Sequence, residues 1–264
     1  MYPVLLRIGP VTVYSYTVLL DLGLICGLAV ACWAGQRYSI KPETVIDAAL
    51  YVVIAGIVGA RLHYVALNWA YFVEKPIETL FIWRGGLAFH GALLGGGLAL
   101  WIYTALGQLP FWPLADVAAP GLALGGALGW LGCLTNGCAY GSMGKGFLAY
   151  DLPDVYGVSA PRFATQAVGS AWNLAILALI WALIRWGFKP IRIPGVAFLI
   201  YLLLYCGGDF LLGFTRGDET LFLGPWRVAQ VIDGIGVALA AILMAYLWYK
   251  AGKETPPEMI DVSR

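Results

Sequence analysis

Charge is scarce in this sequence. Only 12% of its 264 residues are Asp, Glu, Lys or Arg, and only two are histidines, whereas ordinary soluble domains are roughly 25% charged. Disordered chains and nucleic-acid-binding proteins need many more charged residues, so both classes are excluded. Hydrophobic residues make up 61% of the chain, and the mean hydropathy is +0.79. Since a soluble fold of this size could not bury so much apolar surface, the sequence predicts an all-α, polytopic integral membrane protein.

Cysteine is also too sparse for a disulfide framework. The five cysteines, Cys26, Cys32, Cys133, Cys138 and Cys206, are an odd number and lie in apolar or Gly-rich surroundings. We expect small buried side chains with unreactive thiols. The spacing of Cys133 and Cys138 places them on different faces of a helix, which disfavours a shared metal ion. No small-residue cleavage site follows a short apolar run near the N-terminus, so a cleaved signal peptide is not expected.

Long stretches without charge mark the membrane spans. Residues 85–115, 117–144 and 163–184 contain no charged side chain, and a helix needs about 20 apolar residues to cross a bilayer. The sequence predicts about seven transmembrane helices in a single domain, residues 1–252, followed by a polar C-terminal tail at 253–264. The predicted helices lie near 12–34, 45–66, 87–107, 114–137, 164–186, 194–214 and 228–249.

Seven spans place the two termini on opposite sides of the membrane. Lys and Arg near helix ends prefer the cytoplasmic side; here they divide evenly, but the cations at 185–192 favour a cytoplasmic loop at that point. We therefore expect an outer N-terminus and an inner C-terminus. The longer connections, near 67–86 and 138–163, then lie on the outer side, and the aromatic segment 68–83 suits the membrane interface.

Polar side chains near the predicted outer ends of the helices form a candidate functional site. Polar groups inside membrane helices are costly and commonly mark function. The inner ends carry mainly Lys and Arg with Asp47 and Asp116, whereas the outer ends also carry His, Asn and Gln. The outer-end residues are Tyr16, Arg61, His63, Tyr64, His90, Asn136, Arg162, Gln166, Asp209, Arg216, Arg227, Gln230 and Asp233. Since helix ends are normally polar, part of this pattern is expected of any membrane protein.

Two residue types in this set point to chemistry. His90 is a candidate general base, because a neutral imidazole accepts a proton near neutral pH and the surrounding glycines allow close approach of a lipid or a helix; a hydrogen bond between helices is the alternative. His63 fits an interfacial ring as well. Arg61, Arg162 and Arg216 are candidates for phosphate recognition, since a guanidinium binds two phosphate oxygens at once. Anchoring at the headgroups is the alternative role of each arginine.

The chain resembles the prolipoprotein diacylglyceryl transferase family in blocks that keep their order from residue 8 to about 233. Gly85-Gly-Leu-Ala-Phe-His90-Gly is similar to the family's GGMSFHGG. Residues 129–141, Gly-Trp-Leu-Gly-Cys-Leu-Thr-Asn-Gly-Cys-Ala-Tyr-Gly, look like its signature GRIGNFINGELWG. The other blocks are Ile8-Gly-Pro10 with Tyr14-Ser-Tyr16 (IGP…HWYG), Gly59-Ala-Arg61-Leu-His-Tyr64 (GGRxxY), Ala115-Asp116-Val-Ala-Ala-Pro120 (AD…AP), Pro161-Arg162-Phe-Ala-Thr165-Gln166 (PRHPSQ), Phe214-Thr-Arg216-Gly-Asp218 (FxRxPD) and Gln230 (the glutamine of SMGQ).

The resemblance implies an enzyme of lipoprotein biosynthesis. It would transfer a diacylglyceryl group from phosphatidylglycerol to the lipobox cysteine of prolipoproteins, at the outer face of the bacterial cytoplasmic (inner) membrane. The partners would be phosphatidylglycerol, the prolipoprotein signal peptide and the lipid bilayer, with no nucleic acid, no metal and no cofactor. The implied catalytic residues are His90, Tyr16 and Arg216. The implied substrate-binding residues are Arg61, Asn136, Gly141, Arg162, Gln166 and Gln230.

Six positions of the family pattern are occupied by other residues. Trp130, Cys133 and Cys138 replace arginine, asparagine and glutamate in the signature. Gly169, Asp209 and Gly213 replace glutamate, arginine and glutamate. Two alternatives therefore remain open. The chain could be a catalytically divergent member that serves as a structural or accessory subunit of a larger membrane complex, or it could bind a lipid or transfer another lipid group.

Overall fold

Seven helices that are long and apolar enough to cross a membrane lie within the described part of the chain. The computed structural model describes residues 4–9, 11–82, 85–187 and 189–253. The spanning helices are α1 (Ser15–Gly35), α2 (Pro42–Leu67), α4 (Phe89–Gly107), α5 (Phe111–Asn136), α6 (Thr165–Arg185), α7 (Val196–Gly213) and α8 (Val228–Lys253), and the short α3 (Trp69–Glu74) follows α2. The predicted all-α membrane fold is confirmed, and the largest difference in a helix end is at α8, which ends at 253 rather than 249. Pro10, Arg84 and the tail from residue 254 lie outside the described residues.

Three antiparallel two-stranded sheets, which the sequence did not predict, lead into spanning helices. The pairs are β1 (Val4–Ile8) with β2 (Val11–Tyr14), β3 (Ala149–Pro153) with β4 (Ser159–Phe163), and β5 (Phe222–Leu223) with β6 (Trp226–Arg227). Their second strands end at or just before the starts of α1, α6 and α8. Strands of two to five residues are too short to show a clear alternation of polar and apolar side chains, which is why the sequence pattern missed them.

The chain forms two compact units. Residues Cys32–Ala115 form the small unit, and the segments up to Ala31 and from Asp116 onward form the large unit. In the small unit α2 packs on α4 through glycine, since a Cβ atom at Gly91 would overlap the carbonyl of Gly59. Small residues let membrane helices approach this closely, as expected for the glycines around His90. The single domain of residues 1–252 stays a prediction.

The large unit has its core between α5, α6 and α7. Ala119, Ile176, Ile180 and Tyr201 are among the buried residues of this core. At one end of α5, the buried carboxylate of Asp116 accepts the backbone N–H groups of Gly195 at 2.6 Å and Phe198 at 2.8 Å. The first N–H groups of a helix have no partner within it, and a carboxylate there also offsets the helix dipole. Asp116 therefore stabilises the start of α7.

Candidate functional site

The end of α5 collects residues from two other helices of the large unit. The ring of Tyr16, in the first turn of α1, packs against Gly132, where an added Cβ atom would lie 3.0 Å from the ring. Gln166, in the first turn of α6, donates a hydrogen bond of 2.9 Å from Nε2 to the carbonyl of Cys138, just beyond α5. The Oε1 atom of Gln166 is buried and has no hydrogen-bond partner in the described part of the chain. Two predicted site residues, Tyr16 and Gln166, are thus held at the end of α5.

Gln230, at the start of α8, joins this helix to the end of α7. Its Nε2 atom donates to the carbonyl of Phe210 in the last turn of α7 at 3.0 Å, and its Oε1 atom accepts the backbone N–H of Arg227 at 3.2 Å. Its side chain also fills the space that a Cβ atom at Gly213 would need. These contacts hold two helices together, and the substrate-binding role of Gln230 stays a prediction.

Residues 140–144 lie between the two arginines Arg162 and Arg216. Ser142 donates its backbone N–H to the carbonyl of Thr215 at 2.7 Å and accepts the N–H of Phe163 at 3.0 Å. Thr215 and Phe163 are the chain neighbours of Arg216 and Arg162. The 140–144 segment therefore brings the two arginine-bearing segments to its two sides.

Gly141 makes this packing possible. A Cβ atom at position 141 would overlap the carbonyl of Phe163 and lie 2.8 Å from the hydroxyl of Thr165. On the other side, a Cβ atom at Gly217 would lie 2.9 Å from the Gly141 carbonyl, and the Gly217 N–H donates to Tyr140 at 2.8 Å. A rigid backbone cannot relieve such overlaps, so only glycine fits. The predicted site residue Gly141 has a steric role.

Arg162 is buried, with 4% of its surface exposed. Its Nη2 atom donates to Oδ2 of Asp154 at 3.0 Å, and its guanidinium carbon lies 4.6 Å from the ring centroid of Tyr140. Its Nε atom is buried and finds no hydrogen-bond partner among the residues that the structure describes. Because a buried unpaired donor is costly, this N–H group is a candidate contact for an anionic ligand.

Arg216 shares Asp218 with Arg227. Arg216 binds Oδ1 of Asp218 through Nε at 2.9 Å and Oδ2 through Nη2 at 2.6 Å. Arg227 binds Oδ1 through Nη1 at 3.3 Å and donates from Nη2 to the carbonyl of Arg216 at 2.7 Å. Arg227 was among the outer-end residues and Asp218 in the block 214–218, but neither had a predicted chemical role, although each lies within three residues of a predicted site residue, Arg216 or Gln230. That proximity was the available signal.

The two arginines of this group remain cations. Burial lowers the pKa of Arg227; Asp218 opposes this shift and Arg216 adds to it. Burial also acts to lower the pKa of Arg216, but the hydrogen bond and negative charge of Asp218, with nearby Asp209, raise it overall. An unperturbed guanidinium is protonated far above neutral pH. Both arginines are therefore positively charged at physiological pH.

Two of the replaced family positions contact each other. The ring of Trp130 occupies the space beside Gly169, where an added Cβ atom would lie 2.5 Å from the ring. The family pattern has arginine and glutamate at these positions, whereas here an aromatic ring packs on a glycine. The replacement leaves a filled space rather than a cavity.

Cys133 and Cys138 form a disulfide, so the expectation of five unreactive thiols is wrong for this pair. A spacing of five residues places two side chains on different faces only where the helix is continuous. Instead, α5 ends at Asn136, and Gly137 turns the chain with a φ of +77°. The Cα atoms of the two cysteines then lie 4.8 Å apart. Asn136, a predicted site residue, is exposed at this helix end.

Arg61 and His90 belong to the small unit. The guanidinium of Arg61 donates to four backbone carbonyls of one loop: Glu78, Thr79, Gly85 and Gly86. Four of its five N–H donors are therefore used to hold that loop. These contacts assign a structural role to Arg61, and its binding of phosphate stays a prediction.

His90 lies in the first turn of α4, next to the other histidine. The ring centroids of His63 and His90 are 6.5 Å apart, and the rings are inclined at 66°. The Nδ1 atom of His63 is buried and without a hydrogen-bond partner within the described ranges. The general-base role of His90 stays a prediction.

Comparison with known proteins identifies the family. The sequence profile of the prolipoprotein diacylglyceryl transferase family matches residues 3–246. The chain belongs to this family. A phosphatidylglycerol–prolipoprotein diacylglyceryl transferase of Nostoc sp. (strain PCC 7120) is 34% identical over 273 residues, which cover 99% of this chain and 94% of the relative. A protein of the same description from Synechococcus elongatus is 35% identical, over 98% of this chain and 91% of the relative. Another from Bacillus licheniformis is 34% identical, over 96% of this chain and 94% of the relative.

Membership of the prolipoprotein diacylglyceryl transferase family confirms the resemblance seen in the sequence blocks. With seven helices able to cross a membrane and bacterial relatives along nearly the whole chain, the protein is a multi-pass protein of the bacterial inner membrane. Seven predicted site residues belong to the large unit: Tyr16, Asn136, Gly141, Arg162, Gln166, Arg216 and Gln230.

Proposed function

We propose that this protein transfers a diacylglyceryl group from phosphatidylglycerol to the lipobox cysteine of prolipoproteins, at the outer face of the cytoplasmic membrane. The observation that carries the proposal is the placement of Arg162 and Arg216 on two sides of residues 140–144. Two guanidinium groups at such a site suit a phosphate, which a planar fork of donors binds through two oxygens. The relatives from three bacteria, all described as this transferase, support the same substrates.

The reaction has a simple balance of bonds. The sulfur of the lipobox cysteine forms a bond with the glyceryl carbon, and the bond between that carbon and the phosphate oxygen breaks. Glycerol phosphate leaves with the electron pair of the broken bond, and the thiol proton passes to a base. A thiol needs help to ionise near neutral pH, and His90 is the proposed base.

The developing charge on the leaving phosphate calls for positive groups. Arg216 is proposed to contact the phosphate, with the buried Nε–H of Arg162 as a second donor. Tyr16, packed on the end of α5, is proposed to orient the glyceryl group. Gln166 is proposed to hold the chain after α5 in place through Cys138.

The six replaced positions motivate an alternative, a catalytically divergent member that serves as an accessory subunit of a larger membrane complex. Trp130 packed on Gly169 and the Cys133–Cys138 disulfide are contacts that a scaffold would also need. Activity, rather than packing, distinguishes the two functions.

The test is transfer in a purified system. The protein is reconstituted with phosphatidylglycerol labelled in its acyl chains and a lipobox peptide, and the thioether product is identified by mass. We expect product with the cysteine peptide and none with the matching serine peptide. In His90→Asn, which keeps hydrogen bonding at one position but loses the titratable nitrogen, the rate should fall by about 10²–10⁴-fold. Absence of product from folded wild-type protein would favour the accessory function.

A further inference from the structure

Asp218 binds Arg216 with both of its carboxylate oxygens. The two contacts, of 2.9 and 2.6 Å, have the arrangement of a bidentate guanidinium–carboxylate pair. Such a pair carries no net charge, so by itself it attracts a phosphate group weakly. Arg216 with Asp218 alone is therefore a poor anion site.

Arg227 changes this balance. Its Nη1 atom binds the carboxylate of Asp218 at 3.3 Å and the Asp218 carbonyl at 3.0 Å. Its Nη2 atom binds the carbonyl of Arg216 at 2.7 Å. Two guanidinium groups then share one carboxylate, and the three side chains together carry a net charge of +1. A single Arg227 side chain supplies the charge and also fixes the backbone at both Arg216 and Asp218.

The two arginines differ in accessibility. The side chain of Arg216 is 21% exposed, whereas that of Arg227 is 10% exposed. The backbone N–H of Arg227 is bound to Gln230 at the start of α8. The guanidinium of Arg216 is thus the more exposed of the two, and Arg227 is held at the start of α8 through Gln230.

We infer that Arg227 is a positioning residue for the phosphate group of an anionic lipid. It gives the group Arg216–Asp218–Arg227 its net positive charge and holds the Arg216 guanidinium in the orientation that meets the phosphate. The inference rests on the proposed function, and it gives a specific role to Arg227, which the sequence placed only among the outer-end polar residues.

Four variants separate this role from a merely structural one. Arg227→Gln removes the charge, Arg227→Lys keeps it with fewer donors, and Asp218→Asn raises the net charge of the group. Arg185→Gln is the matched control, because Arg185 is an exposed arginine at the far end of α6. For each variant the transfer assay gives kcat and the KM for phosphatidylglycerol, and thermal unfolding gives the stability.

The expected pattern is a split between KM and kcat. In Arg227→Gln, KM should rise about 10-fold, the effect of losing a charge-assisted interaction, and Arg227→Lys should restore most of it. In Asp218→Asn, KM should stay level or fall while kcat decreases, because Arg216 keeps its charge but loses its orientation. If kcat and the melting temperature both fall in all three variants while KM is unchanged, the inference is overturned. If Arg227→Gln cannot be recovered as folded protein, the Asp218→Asn variant decides. A rise of its KM for phosphatidylglycerol would then overturn the inference.

Lipid binding tests the inference without transfer, so a failure of the proposed function can be recognised separately. Phosphatidylglycerol in detergent should raise the melting temperature of the wild type, Arg185→Gln and Arg227→Lys, but much less that of Arg227→Gln, and phosphatidylcholine should give no such difference. A shift with phosphatidylglycerol but not with glycerol phosphate assigns the ligand to the lipid; a shift with both assigns it to the shared phosphate. Equal phosphatidylglycerol shifts in Arg227→Gln and the wild type contradict the inference, even if the wild type shows no transfer.

Discussion

The ring of Trp130 lies against Gly169, in the space that any larger residue at position 169 would need. The family pattern has arginine and glutamate at these two positions. In this structure, two separate departures from that pattern are thus in direct contact.

Restoring only one of the two family residues should reduce the stability of the protein. We expect Trp130→Arg to reduce stability, by up to about 3–5 kcal/mol for a packed tryptophan, because it leaves a space and an unpaired cation beside Gly169. Trp130→Arg combined with Gly169→Glu should lose less than the sum of the two single variants, since the glutamate fills the space and pairs with the arginine. Thermal unfolding of the single and double variants measures this coupling. A Gly169→Ala variant as stable as the wild type would show that the ring does not occupy this space.

The packing around Gly141 predicts a sharp difference between two glycines of one segment. Gly141→Ala should displace residues 140–144 from the Phe163 carbonyl and with them the segments that bear Arg162 and Arg216. A displacement of about 1 Å in a catalytic group can cost on the order of 10² in rate, so we expect a loss of that size in the transfer assay. Gly144→Ala is the control, because no heavy atom lies within 4 Å of its added Cβ atom. Equal activity in the two variants would contradict a steric role for Gly141.

The disulfide predicts the labelling of the cysteines. In denatured protein that was never reduced, alkylation should miss Cys133 and Cys138 and reach Cys26, Cys32 and Cys206, which are free thiols. After reduction all five should react, which mass spectrometry of the peptides detects. Five alkylated cysteines before reduction, in protein prepared from oxidising medium, would rule out the bond.

The same bond supports the predicted orientation, because disulfides persist in oxidising compartments and not in the bacterial cytosol. A cysteine at Phe147, which is 91% exposed before β3, should react with an impermeant maleimide added to intact cells. A cysteine at Trp186, which is 81% exposed beyond α6, should react only after the cells are opened. The reverse pattern of labelling would invert the orientation and place the site on the cytoplasmic side.

The sequence by itself determined the number of spans, their limits to within a few residues, and the family. A largely apolar stretch of about 20 residues is long enough to cross a bilayer as a helix, which satisfies its backbone hydrogen bonds internally. Local composition is therefore enough to place α1 to α8, apart from the short α3. Retained residues such as His90, Arg162 and Arg216 could be recognised in the same way, from residue type and order along the chain.

The tertiary structure alone decided which residues are partners. The turn at Gly137 brings Cys138 back to Cys133, although a continuous helix would have separated them. The β5–β6 hairpin returns the chain so that Arg227 reaches Asp218, nine residues earlier. Such contacts depend on backbone turns and on the close packing of distant segments, and neither is encoded in the hydropathy of a single stretch.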